Sequence, residues 1–166
     1  MSFDPDELVR VLDAHAVEYV LIGGYAAALH GSAMVTTDLD IAPDRSDENL
    51  ARLSDALSDL EAKIRVDGIA DGLRFYHDGP SLARATVWNL VTRAGDLDIS
   101  FVPSGTDGFD DLDRSALRIE LAGVVVHIAS LDDVIRSKTA ADRPKDRLVL
   151  PELRDLRRRR QAQPPA

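Results

Sequence analysis

The chain has no cysteine, which excludes disulfide staples and thiolate metal sites. Its four histidines, His15, His30, His77 and His127, show no ligand spacing, so any metal must be held by hard oxygen donors. No apolar run approaches membrane-spanning length, and Met1-Ser2-Phe3-Asp4 does not open a signal sequence. The expectation is a cytoplasmic protein with no membrane partner. An excess of positive charge is missing too: 20 basic against 29 acidic residues give −9, which argues against a body that coats nucleic acid. No Gly-Lys pair occurs anywhere, so there is no Walker A loop, and the dinucleotide fingerprint is absent.

What is present is an ordinary globular balance, 45% hydrophobic and 30% charged over 166 residues, enough for one domain with a real core. The reading is a single domain over 1–160 with a disordered tail over 161–166. Positive charge is local, with Arg154, Arg157, Arg158, Arg159 and Arg160 together near the end. Such a run suits a solvated helix end and its dipole; a phosphate-binding tail is the alternative.

Asp4-Pro5-Asp6-Glu7 supplies a capping Asp, a Pro at the first helical position and a Glu at the third, and predicts a helix to about residue 14 with Leu8, Val11 and Leu12 on its apolar stripe. A buried strand over 17–22 is broken by Gly23-Gly24, and a short helix over 25–30 is closed by Gly31. Pro43 ends the next strand, and Ser46 caps a helix whose Leu50, Leu53, Leu57 and Leu60 recur at helical spacing. Weak strands are expected over 63–66 and 73–76, around turns at Asp67-Gly68 and Asp71-Gly72. Hairpins follow over 86–101 and 116–128, and Ser130 caps a helix with Leu131, Val134, Ile135 and Lys138. Pro144 and Pro151 divide the remainder into short helical pieces. The fold class is α/β: a mixed, largely antiparallel sheet with packed helices and a short helical C-terminus.

Thr37-Asp38-Leu39-Asp40-Ile41 is the stretch that demands a chemical explanation. Side chains alternate along a strand, so Asp38 and Asp40 share one face while Leu39 and Ile41 take the other. Two carboxylates roughly 7 Å apart on one face each raise the cost of ionising the other. A divalent cation removes that cost; a solvated acidic edge needs none. The strand 96–101 alternates in the same way, turning Leu97, Ile99 and Phe101 to the core and Asp96 and Asp98 to the opposite face. If the two strands are neighbours, about 4.8 Å apart, three carboxylates converge. Such a set can hold two Mg²⁺ ions about 3.5 to 4 Å apart, the arrangement of in-line phosphoryl and nucleotidyl displacement. Gly23-Gly24 offers unobstructed backbone N–H groups to a triphosphate, or is only a tight turn.

Ile22-Gly23-Gly24-Tyr25-Ala26, His30-Gly31, Thr36-x-Asp38-Leu39-Asp40-Ile41 and Gly95-x-Leu97-Asp98-Ile99 together resemble the polymerase-beta-like nucleotidyltransferase superfamily. The branch the chain looks most like is the AbiEii-type bacterial nucleotidyltransferases, toxin components of toxin–antitoxin pairs. Ser137-Lys138-Thr139-Ala140-Ala141-Asp142-Arg143-Pro144-Lys145-Asp146 is similar to that branch's lysine-bearing helix and Arg/Lys-Asp segment, and the likeness spans 17 to about 156. It implies a nucleotidyltransferase fold and a Mg²⁺-dependent enzyme, with two ions and Mn²⁺ as a substitute. The enzyme would move an NMP from an NTP such as ATP to a hydroxyl of a tRNA or a protein, and would have a cognate antitoxin as partner.

Position by position, the resemblance implies Asp38 and Asp40 as shared metal ligands, with Asp98 as the third and as promoter of hydroxyl deprotonation. Gly23, Gly24 and Ser32 would face the triphosphate, and Lys138 would be a catalytic contact to phosphate or nucleotide. Asp96 is set aside because the pattern places the acid after Leu97. Relatives commonly carry an arginine where this chain has Met34, and losing a fixed cation weakens polyphosphate binding or changes which nucleotide fits. That departure motivates the alternative, a degenerate domain that binds a nucleotide or partner without turnover. An Asp-x-Asp phosphohydrolase with Asp38 as phospho-aspartate fits worse. Thr36-Thr37 stands where that chemistry expects an apolar strand, and Asp132-Asp133 precedes Lys138 instead of following it. His30 is read as satisfying backbone carbonyls and Trp88 as core packing.

Overall fold

The computed structural model describes residues 2–162, and positions 163–166 of the expected tail lie outside them. Helix α1 (Pro5–Ala14) begins as its sequence requires, the Asp4 carboxylate accepting the Glu7 N–H at 3.0 Å. It buries Leu8, Val9 and Leu12. Strand β1 (Tyr19–Ile22) passes directly into α2 (Gly23–Leu29), so the glycine pair opens the helix and is not a separate turn before it. Then come β2 (Asp38–Pro43) and α3 (Asp47–Asp59), whose first turn is capped by Ser46 through the Asn49 N–H. The chain continues through β3 (Lys63–Val66), β4 (Ile69–Leu73), α4 (Gly79–Leu82), β5 (Val87–Thr92) and β6 (Gly95–Ser100). It finishes with α5 (Phe109–Asp113), β7 (Leu117–Leu121), β8 (Val124–Ile128), α6 (Leu131–Ala141) and α7 (Pro144–Ala162).

The strands form one sheet in the order β4-β3-β5-β6-β2-β1-β8-β7. Only β2–β6 and β1–β8 are parallel, so the sheet is mixed and largely antiparallel, as expected. Alternation along the central strands divides the core into two layers. Tyr19, Leu21, Leu39, Ile41, Leu97 and Ile99 pack with α1 and α3. Val20 and Ala42 turn the other way, into a second cluster with Ala26 and Ala27 of α2, Leu112 of α5, and buried residues of α6 and α7. Asp38 and Asp40, alternating with Leu39 and Ile41, therefore face the α2, α6 and α7 layer. Among the described residues no helix is long and apolar enough to cross a membrane.

Several local expectations are corrected. The strand that pairs with β3 is Ile69–Leu73 rather than 73–76. Asp71-Gly72 lies inside it: Gly72 has φ +66°, and a Cβ there would come within 2.6 Å of Val91 Cγ1. That glycine marks close packing within a strand, not a turn. The segment after Pro144 is one 19-residue helix with Pro151 in its interior, not short pieces. An interior proline costs about 3 kcal/mol, and burial of Val149, Leu150 and Leu153 around it offsets that cost. Because α7 reaches Ala162, the first two residues of the expected tail are helical. Helices α4 and α5 were not expected; α4 is set by an Asp78–Ser81 capping box.

Candidate active site

β2 and β6 lie side by side in parallel, with Asp38 opposite Asp96 and Asp40 opposite Asp98. One carboxylate oxygen from each of Asp38, Asp40 and Asp98 falls within 4.8 Å of the others. The threonine before β2 orients the first acid, Thr36 Oγ1 donating to Asp38 Oδ1 at 2.5 Å. The Gly24 N–H faces Asp40 Oδ2 at 3.4 Å. Burial, followed by the charges of Asp38 and Asp98, pushes Asp40 from the ordinary 3.8 up to about 6, against the opposing pull of the Gly24 N–H and Lys145. Burial also raises Asp98, although Arg65 works against it. Three hard oxygen donors in mutual reach, two of them without a cation in contact, fit a divalent cation such as Mg²⁺.

The glycine pair serves this arrangement first by its lack of side chains. A Cβ on Gly23, at φ +66°, would fall 2.1 Å from Asp40 Oδ2, and one on Gly24 would fall 2.9 Å from Thr36 Oγ1. Helix α2 can therefore start directly against the acids only with glycine at both positions. Gly23 also lines a cleft of about 310 Å³, together with Asp40, Asp98, Asn89, Lys138 and Arg143. The cleft lies between the acidic face of the sheet and α6.

Lys138 belongs to the wall of that cleft and is no surface lysine: it is only 6% exposed, and Nζ donates to Asp146 Oδ1 at 3.2 Å. Asp146, fully buried at the start of α7, also accepts from Arg143 Nε at 2.6 Å. Burial alone would raise Asp146, but the hydrogen bonds and charges of Arg143 and Lys138 outweigh it and hold the carboxyl below its usual range. The charges of Asp40 and Asp38 are felt at Arg143. The α6–α7 corner thus brings cationic potential to the acids. Met34 is packed against the second apolar cluster.

Ser32 is not brought to the cleft. Its hydroxyl donates to Glu152 Oε2 at 3.0 Å and accepts the Met34 N–H at 3.3 Å, so it ties the loop before β2 to α7. His30 Nε2 pairs with the Ala129 carbonyl at 2.8 Å, which is the backbone role expected for it. Trp88 packs on the first core and against Phe75. The arginine run is internally engaged: Arg157 pairs with Asp132, Arg158 and Arg159 with Asp155, and Arg160 donates to the His30 carbonyl.

Sequence reasoning missed Arg65. Its Nη2 donates to both oxygens of Asp98 at 2.7 and 2.9 Å, and its Nη1 contacts Asp96 Oδ2 at 2.9 Å. Its position in a strand of alternating charged and apolar residues, 63–66, is the one signal the sequence offers.

No protein-family model matches this sequence, and no curated protein matches it. Solved structures do. A provisionally assigned nucleotidyltransferase from Thermotoga maritima aligns over 93% of this chain and 97% of its own at 16% identity, with a TM-score of 0.52. The lincosamide antibiotic adenylyltransferase LnuA, in a lincomycin-bound structure, aligns over 94% of this chain and 99% of its own at 16% identity, with a TM-score of 0.59. The chain therefore has the nucleotidyltransferase fold. At this identity the likeness is one of fold and does not reach the AbiEii branch.

Proposed function

We propose that this protein is a Mg²⁺-dependent nucleotidyltransferase that moves an NMP from an NTP to an acceptor hydroxyl and releases pyrophosphate. The observation that carries the reading is the convergence of Asp38, Asp40 and Asp98 within 4.8 Å on two parallel strands, with Asp40 and Asp98 in the wall of a cleft that Lys138 and Arg143 also line. Asp38, Asp40 and Asp98 would hold the metal, whose chemistry is to neutralise triphosphate charge and to make the acceptor hydroxyl easier to deprotonate. Asp98 receives the hydroxyl proton on a carboxylate oxygen once Arg65 releases it. The acceptor oxygen then bonds to the α-phosphorus as the bond to pyrophosphate breaks. Arg143 and Lys145 supply fixed positive charge toward the phosphates, in place of the arginine that Met34 replaces.

The acceptors that the resemblance suggests are a tRNA end or a protein hydroxyl, with a toxin role and a cognate antitoxin. Arg157 to Arg160 are engaged within the protein, yet Arg158 and Arg159 share the one carboxylate of Asp155 and stay largely exposed, so the run keeps part of its positive charge for a phosphate-bearing acceptor. A small hydroxylated acceptor is the second reading; its support is a cleft of only about 310 Å³ and the fold shared with the lincomycin-bound adenylyltransferase. Each α-³²P-labelled NTP, incubated with protein, Mg²⁺ or Mn²⁺, and in turn total tRNA, protein alone and a panel of small polyols, tests both. Label transferred by wild type and lost in Asp40→Asn is expected. Mg²⁺-dependent NTP binding with no pyrophosphate release would establish the degenerate alternative instead.

A further inference from the structure

Among the described residues, Arg65 is the only cationic side chain in ion-pair contact with any of Asp38, Asp40 and Asp98. It arrives from two strands away. Ile64 pairs with Leu90 of β5, which puts the next residue, Arg65, beside Asn89. Asn89 stands opposite Asp98, and Asp98 opposite Asp40. Arg65, Asn89, Asp98 and Asp40 thus form a row across four strands, and the arginine reaches over Asn89 to the acid.

The guanidinium fork is divided between two carboxylates of different standing. Asp98 belongs to the cluster, and both of its oxygens are taken by Nη2. Asp96 lies outside the cluster yet on the same face, because the β2–β6 register sets it opposite Asp38, and it accepts from Nη1. Each Asp98 oxygen keeps a second lone pair for a metal ion, but a metal and a guanidinium held on one carboxylate repel, so the two compete for it. Without Arg65, four carboxylates on adjacent strands would face one another with no counter-charge in contact.

We propose that Arg65 is a placeholder cation. With no metal bound it balances the charge of the Asp98 carboxylate and orients it; on metal loading it gives up Asp98 and is retained by Asp96. Arg65 is thus a positioning residue, and the Arg65–Asp96 pair sets the metal affinity of the Asp98 side of the site. This rests on the metal-site reading above and assigns Asp96 a purpose that the fold alone does not require.

Titration of the full chain with Mn²⁺, followed by the electron paramagnetic resonance signal of free Mn²⁺ at pH 8, tests it without any turnover. Arg65→Gln removes the competitor and is expected to bind Mn²⁺ roughly tenfold more tightly than wild type. Arg65→Lys keeps the charge, loses the fork and falls between them. Asp96→Asn leaves Arg65 with Asp98 alone and is expected to weaken Mn²⁺ binding about threefold. Thermal melts supply a second readout: Arg65→Gln melts below wild type without metal and recovers when Mn²⁺ is added. Unchanged or weaker binding by both Arg65 variants, with wild type still binding, overturns the placeholder and leaves the metal site standing. Absence of binding in wild type and in both variants overturns both.

Discussion

Asp-Leu-Asp-Ile occurs twice in this chain, at 38–41 and at 96–99, and the two copies lie side by side in register. Both send Leu and Ile into the α1 and α3 layer and both acids to the other face. Their chemistry nevertheless differs. In β2 both acids enter the cluster, with Thr36 on one and the Gly24 N–H on the other, and no cation in contact. In β6 only Asp98 enters, and Arg65 bridges it to Asp96. A four-residue pattern decides which face an acid takes, and the neighbouring strand or helix decides what charge it meets there. Asp146 extends the contrast, since it is buried completely yet held low by two cations, whereas Asp40, without one in contact, is pushed up.

The largest effect expected from breaking this comparison is on transfer. Asp40→Asn removes a cluster oxygen charge at nearly constant volume and should lower NMP transfer by on the order of 10³-fold, as measured in labelled-NTP assays. Gly23→Ala comes next: a Cβ at φ +66° and 2.1 Å from Asp40 Oδ2 should cost about 2–4 kcal/mol of stability in urea melts.

A comparable effect should appear as pH dependence. The native carboxyl of Asp40 titrates at about 6, above its ordinary 3.8. The native state therefore holds the proton that the unfolded state has already lost. Stability from this group is present at low pH and declines as pH rises from about 4 to about 6, by about 3 kcal/mol relative to Asp40→Asn without metal. A flat difference between the two proteins would remove the account of Asp40. The smallest effect belongs to the other copy: Asp96→Asn should change transfer at saturating Mg²⁺ by no more than about threefold.

The sequence was most legible where local chemistry is self-sufficient. The Asp4 and Ser46 caps, the alternation of 96–101 and the Ala122-Gly123 turn each carry their reason within a few residues. The acids were legible as a face, and their convergence was conditional on β2 and β6 pairing across 51 residues of intervening chain. What stayed hidden depends on long-range partners. Arg65 required the β3–β5 register, Ser32 required Glu152 on α7, and the buried pairing of Lys138, expected as a phosphate contact, required Asp146 on α7. Pro151 misled for the same reason, because the burial that sustains α7 through it comes from other elements.

The most direct test is a crystal grown with Mn²⁺ and a non-hydrolysable NTP, read by anomalous scattering at the manganese edge. The account predicts anomalous density bridging Asp38, Asp40 and Asp98, with the triphosphate beside it and Arg65 on Asp96. A nucleotide bound elsewhere, or a triphosphate in the cleft with no metal on these three carboxylates, would contradict it.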